Sequence, residues 1–294
     1  MQVHLFDGTY ELFRAFFGAP PTQHRGREVG ATRVLMNALA RLIRNGTVTH
    51  AGVAFDHVIE SFRNDLFPGY KTGEGIAEAL RSQFELAEQA AAALGLVVWP
   101  MIEFEADDAI ATAAHRCAQD PRVDKVLMAT VDKDMCQCVI DSRVVAWDRW
   151  KDQALDRDGV IAKHGVEPES IPDLLALVGD TADGIPGLDG WGKSSAAKLL
   201  SHYTHITAIP ENPATWKVSV RGADKLAATL NANRDTAELY RVLATLRIDC
   251  PIPCSPDELA WRGVDTDKLD EVCEILGVSA DAFKLATSSG PASS

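Results

Sequence analysis

Through the first half of the chain, short apolar runs alternate with helical patterns, and this alternation restricts the fold more than any other feature. Residues 3–6, 51–55, 96–99, 125–129 and 143–147 read as strands. Residues 29–43, 80–94 and 107–117 read as helices, the first from Val34, Leu35, Ala38, Leu39 and Leu42 at helical spacing. Strands alternating with helices indicate an α/β fold with a mostly parallel sheet and helices on both faces. Sites in such sheets form beyond the carboxyl ends of the strands. After about residue 150 the strand patterns stop. Residues 167–178, 193–202, 223–246 and 267–276 read as helices separated by Pro and Gly. The expected organisation is an α/β domain over residues 1–165, an all-α domain over 166–285 and a disordered tail over 286–294.

Carboxylates mark the ends of the expected strands. Asp7 follows VHLF, Asp56 follows AGVAF, and Glu105, Asp107 and Asp108 open a helix after LVVWPMIEF. Asp132 and Asp134 follow KVLMAT, and Asp180 and Asp183 follow LLALVG. Any one of these acids is most simply a helix cap or a turn former. The strand ends would bring the first seven to one rim, and all nine if the helix ending near Gly179 packs there; nine carboxylates so crowded cannot all ionise without compensation, which hard divalent cations supply. Asp132 and Asp134 would share a face if that segment is extended. Asp180 and Asp183, and likewise Glu105 and Asp108, would share one on a helix. Two ions about 4 Å apart would clamp the attacking and leaving oxygens of a phosphodiester.

Two other patterns are false leads. LFDGT resembles the start of haloacid-dehalogenase-like phosphatases, but their nucleophilic aspartate would fall at Leu5, so Asp7 reads as a metal ligand. The run from Gly187 through Gly192-Lys193-Ser194 fits the P-loop expression, yet Asp183-Gly-Ile-Pro186 ahead of it cannot be a central strand. It reads instead as a Gly-rich hairpin between two helices, whose N–H groups and Lys193 can grip a backbone phosphate at a helix N-terminus.

Net charge is −13, which taken alone argues against a polyanion partner. The charge is uneven, however: residues 22–50 hold five arginines against Glu28, whereas residues 255–285 are strongly acidic. The six cysteines read as reduced thiols, because the spacing of Cys136, Cys138, Cys250 and Cys254 is poor for zinc. No apolar run is long enough to span a bilayer and no export signal precedes the first strand, so the expectation is a cytoplasmic protein without membrane contact.

Five blocks in order, FDGTYELFRAFF, AFDHVIESFRNDLFPGYK, EADDAIATAA, TVDKDMCQCV and LVGDTADGIPGLDGWGKSSAAKLL, resemble the bacterial 5′→3′ exonuclease family from about residue 3 to about 250. That family includes the N-terminal domain of DNA polymerase I, phage 5′-nucleases and, more distantly, flap endonucleases. The resemblance implies a PIN-like domain followed by a helix–three-turn–helix DNA-binding domain with a helix-hairpin-helix motif. It implies a structure-specific exonuclease and flap endonuclease that hydrolyses DNA phosphodiesters and leaves a 5′-phosphate, here as a stand-alone, monomeric enzyme. The implied partner is DNA with 5′ ends, flaps or nicks. Two or more Mg²⁺ or Mn²⁺ ions are implied, with Asp7, Asp56, Glu105, Asp107 and Asp108 as one ligand group and Asp132, Asp134, Asp180 and Asp183 as the other. Arg63 and Lys71 match the basic residues that approach the scissile phosphate. Phe13 sits where an aromatic stacks on a base, although a core phenylalanine is the simpler reading, and Arg14 beside it is placed with the DNA contacts. Gly187, Gly190, Gly192, Lys193 and Ser194 would hold duplex backbone, with K⁺ bound by loop carbonyls.

Some positions depart from the family pattern. After Lys71 the chain runs Thr-Gly-Glu-Gly where another arginine is usual, so the arch is expected to be less basic and floppy. Val131 replaces a glycine, and Gly184 stands where Asn is common. An RNase of the same fold and a DNA-structure-binding module with little cleavage are the alternative readings.

Overall fold

The structure is a computed structural model that describes residues 1–283 and 285; the expected disordered tail lies outside the described residues. In chain order the strands are β1 (Gln2–Asp7), β2 (Gln23–His24), β3 (Arg27–Glu28), β4 (Ala51–Asp56), β5 (Val97–Met101), β6 (Lys125–Ala129), β7 (Val144–Asp148) and β8 (Gln153–Leu155). The α-helices are α1 (Gly8–Gly18), α2 (Gly30–Arg44), α3 (Phe62–Leu66), α4 (Glu78–Arg81), α5 (Phe84–Ala93), α6 (Ala106–Gln119) and α7 (Arg157–His164). They continue with α8 (Ile171–Val178), α9 (Lys193–Tyr203), α10 (Ala223–Ala232), α11 (Arg234–Ala244), α12 (Pro256–Leu259) and α13 (Thr266–Leu276). No helix among the described residues is long and apolar enough to cross a membrane.

By packing, the chain divides into two compact units. One unit holds residues 1–59, 73–130 and the segment from 248 onward; the other holds 60–72 and 131–247.

The first unit is built on parallel strands in the order β5-β4-β1-β6, with Asp7 opposite Ala54 and Asp56 opposite Met101. Val3, Leu5, Val53, Val126 and Met128 are fully buried, as suits strands covered on both faces. Helix α6 packs across these strands, and α1 and α5 pack against β4. Gly52 is required in β4, since a Cβ there would lie 2.2 Å from the Trp99 ring. The expected helix over 80–94 is broken at Ser82–Gln83 into α4 and α5.

The described chain from Ile248 to Phe283 belongs to this unit. Cys250 N donates to Thr112 Oγ1 (3.2 Å), the Arg116 guanidinium donates to Cys250 O (3.0 Å), and Trp99 Nε1 donates to Pro253 O (2.9 Å). Arg122 holds both Asp120 and Asp257, and α13 packs on α5. Much of the acidic C-terminal segment is therefore part of the first unit's packing.

In the second unit β7 pairs antiparallel with β8, a strand absent from the sequence reading, as is α7. The expected helix over 223–246 is broken at Asn233, whose φ of −132° closes α10 and opens α11. Helices α8 and α11 pack together, and α8 also packs on α9. Arg63 belongs to this unit's core. Its Nε donates to Leu243 O (2.8 Å) and its Nη2 to Thr245 O (3.1 Å), satisfying carbonyls at the C-terminal end of α11. The Phe62 ring lies 4.7 Å from its guanidinium carbon.

Candidate metal centre

The first ligand group forms at the carboxyl edge of the parallel strands. Asp7 ends β1 and caps α1, accepting from Tyr10 N (2.8 Å), while Thr130 Oγ1 donates to its other oxygen across 3.5 Å. Asp56 ends the neighbouring strand β4, and its Oδ1 accepts from Ala106 N (2.8 Å). That bond draws the N-terminus of α6 toward Asp56. Glu105 and Asp108 flank this helix start, and the Asp108 carboxylate accepts from Glu105 N (3.0 Å). Both are buried, whereas Asp107 is half-buried. Helix N-termini favour carboxylates through their unsatisfied N–H groups. Asp7, Asp56, Glu105 and Asp108 thus have local structural duties, and Asp107 lies beside them in the first turn of α6. Leu5 is fully buried in β1, so the phosphatase nucleophile position faces the core.

The second group is organised differently from expectation. The segment holding Asp132 and Asp134 is not extended: Asp134 opens a 3-10 helix (Asp134–Cys138), and its N–H donates back to Asp132 Oδ1 (2.9 Å). Asp132 is exposed and Asp134 buried, so the two do not share a face. Asp180 and Asp183 are not helical either. Helix α8 stops at Val178, and Gly179, with φ +88°, turns the chain into a short loop closed by paired bonds between Asp180 and Ile185. That loop brings Asp180 and Asp183 together with Asp134, with ligand oxygens all within 4.8 Å of one another.

Two lysines meet these acids. Lys71 Nζ lies 2.9 Å from Asp183 Oδ1, and Lys71 N donates to Asp183 O (3.0 Å). Lys133 Nζ bonds Asp180 and lies 3.2 Å from Asp134 Oδ1. Burial opposes the Lys133 charge, but Asp134 and Asp180 outweigh it and raise the lysine's pKa. Burial and then the Asp132 charge push the Asp134 carboxyl well above the usual range, with Lys133 opposing. Asp134 Oδ1 is buried and accepts no directed hydrogen bond. Lys133 escaped the sequence reading; its only signal is its place between the two aspartates of VDKD.

Arg63 requires correction. It is 1% exposed and its guanidinium is engaged by the end of α11, so the role of a phosphate-contacting residue does not fit its position. The segment after Lys71 is also less loose than expected, because Arg81 Nη2 donates to Gly73 O (2.5 Å).

The remaining candidates divide by burial. Phe13 is half-buried, 6.1 Å from the Phe84 ring, and Arg14 is exposed. Between α8 and α9, Gly187 has φ +74°, and a Cβ there would lie 2.5 Å from Gly179 N. Helix α8 rather than a strand precedes this loop, so it is no P-loop. Gly190, Gly192, Lys193 and Ser194 are exposed, Gly192 precedes the first turn of α9, and Lys193 Nζ donates to Lys163 O (3.2 Å). Gly184, with φ +75°, passes so close to the chain at Gly69 that a Cβ would lie 2.2 Å from Gly69 O. The cysteines are free thiols.

A resolvase-like α/β sheet domain and a helical domain define the class. A family model described as the 5′-3′ exonuclease N-terminal resolvase-like domain matches residues 2–165, and one described as the C-terminal SAM fold matches residues 166–267. The chain belongs to the 5′-3′ exonuclease family. It is 36% identical over 281 residues to DNA polymerase I of Rhizobium leguminosarum, covering 90% of this chain and 27% of that protein. It is 29% identical over 276 residues to the 5′-3′ exonuclease of Aquifex aeolicus, covering 93% of this chain and 91% of that protein. The chain therefore spans about a quarter of its Rhizobium relative's length. Among solved structures, T5 5′-exonuclease with zinc ions bound shares the fold at a TM-score of 0.66 and 19% identity, covering 94% of this chain and 98% of that one. The catalytic core of Rad2 with a DNA substrate shares it at a TM-score of 0.62 and 12% identity, covering 96% and 90%.

Proposed function

We propose that the chain is a structure-specific 5′→3′ exonuclease and flap endonuclease, which hydrolyses DNA phosphodiesters with divalent-ion assistance and leaves a 5′-phosphate. The observation that carries this reading is the trio of Asp134, Asp180 and Asp183 around a buried oxygen that accepts no directed hydrogen bond. Carboxylate oxygens within 4.8 Å of one another repel by at least about 3 kcal/mol per pair at an effective dielectric near 20. Two ammonium groups offset three such charges incompletely. Mg²⁺ or Mn²⁺ fits this oxygen-rich donor set, and Asp7, Asp56, Glu105, Asp107 and Asp108 form the second donor set of the proposal.

When bound, the ions supply Lewis-acid stabilisation of phosphoryl charge and lower the pKa of water. The chain's own residues bind and orient. Asp134, Asp180 and Asp183 would hold one ion, and the Asp7 and Asp56 edge would hold another. Lys71, placed beside the acids by its ion pair with Asp183, donates to a non-bridging phosphate oxygen as charge develops there. The α9 N-terminus with Lys193, Ser194 and the Gly187–Gly192 loop grips backbone phosphate irrespective of base, and K⁺ on loop carbonyls would reinforce that grip. DNA with 5′ ends, flaps or nicks is the proposed partner.

The test uses a 5′-labelled flap duplex, with and without Mg²⁺, for the wild type and Asp134→Ala. Expected are metal-dependent products near the single-strand/duplex junction, with a rate loss in the variant of about 10³-fold, the equivalent of roughly 4 kcal/mol. Salt-sensitive binding without cleavage by the wild type would turn the reading to a DNA-binding module, and cleavage restricted to an RNA strand would turn it to an RNase.

A further inference from the structure

Lys133 stands inside the acidic trio. Its ammonium bonds Asp180 and lies 3.2 Å from Asp134 Oδ1, bridging two of the three carboxylates. The bridge is imperfect, because Asp134 Oδ1 is within Coulombic reach of the ammonium but accepts no directed hydrogen bond. A divalent ion held by this trio needs the same oxygens, and an ammonium and an ion cannot both occupy the space between them. Lysine is a point charge on a flexible four-carbon stem, and this side chain is 38% exposed, so its head group has a way out to solvent.

We infer that Lys133 is a built-in counter-cation of the second ligand group: it competes with the divalent ion and is displaced when the ion enters. The inference rests on the reading that the trio takes an ion. It gives the lysine two places. With the group unloaded, the ammonium offsets the crowded carboxylates. With the group loaded, the released ammonium is an exposed cation beside them, suited to an anion such as a DNA phosphate. If the displaced lysine takes a phosphate, ion binding and DNA binding strengthen each other by the same factor.

Mn²⁺ is the probe, with the free ion counted by its EPR signal in titrations of the full chain without DNA. Lys133→Met keeps the length and apolar stem while removing the charge. Its trio is expected to bind Mn²⁺ at least about tenfold more tightly than the wild type, because the competing occupant is gone. Lys133→Arg, which retains a cation, is expected to stay weak. Asp134→Asn identifies which Mn²⁺ belongs to the trio, and Lys133→Gln substitutes if the Met variant fails to fold. Mn²⁺ affinity that is unchanged or weaker in Lys133→Met, with Asp134→Asn still losing an ion, overturns the role of Lys133 alone. Loss of no Mn²⁺ in Asp134→Asn removes the trio as an ion site, and the lysine's role falls with it.

Discussion

Arg63→Ala separates a structural arginine from a phosphate-contacting one. The Arg63 side chain makes charge-assisted bonds to Leu243 O and Thr245 O, where α11 has no further turn to supply donors. A hydrogen bond involving a charged group contributes about 1.5–3 kcal/mol, and burying an acceptor without its donor costs about 1–3 kcal/mol. The truncation also opens space beside Phe62. Partial relaxation and water entry reduce the sum, leaving an expected loss of about 3–5 kcal/mol, among the larger single-substitution effects. At roughly 2–4 °C per kcal/mol for a protein of this size, Tm falls by about 6–20 °C. Arg63→Lys, whose single head group reaches one carbonyl, should lose only about half as much. The assay is thermal unfolding followed by far-UV circular dichroism, with flap cleavage measured well below the variant's Tm. A Tm within about 2 °C of wild type together with a large loss of cleavage would refute the structural role and restore Arg63 to the chemistry.

Two further outcomes are expected. Burial pushes His4, in the centre of β1, down from 6.5 to about 4, outweighing the His50 backbone bond. The folded state therefore excludes a proton that the unfolded chain accepts. Its contribution is complete above about pH 6.5 and is lost as pH falls toward 4, by up to about 3 kcal/mol. Urea midpoints measured from pH 7 to 4 should show that acid limb, and His4→Leu should flatten it; an equally steep limb in the variant would rule His4 out as a source. Gly184→Asn should lower the urea midpoint by the equivalent of about 2–3 kcal/mol. Asn tolerates the positive φ but not a Cβ 2.2 Å from Gly69 O, so an unchanged midpoint would show that the Gly69 segment yields freely.

The alternating strands and helices of the first unit were legible because each is a local pattern. Apolar runs such as residues 3–6 and 125–129 cannot bury both faces except in a covered sheet. Chain breaks that depend on one or two residues were less legible: Asn233 interrupts one continuous helical pattern, and Ser82–Gln83 another. The return of residues 248 onward to the first unit was invisible, since it relies on bonds such as Arg116 to Cys250 O between segments far apart in sequence.

The sequence by itself determined which residue types follow each apolar run, seven at strand ends and two after α8, and therefore all nine candidate carboxylates, because the side-chain chemistry and its placement are both local. Only the tertiary structure decided how they group. A turn rather than a strand at residues 132–134 exposes Asp132 and buries Asp134, and a loop closed between Asp180 and Ile185 draws two acids to it from beyond α8. It also decided the fate of the basic residues. Arg63 and Lys71 are eight positions apart in one segment, yet one is buried against the end of α11 and the other is paired with Asp183. Sequence spacing cannot foresee that difference, because it is set by which orphaned carbonyl or carboxylate the folded chain brings within reach.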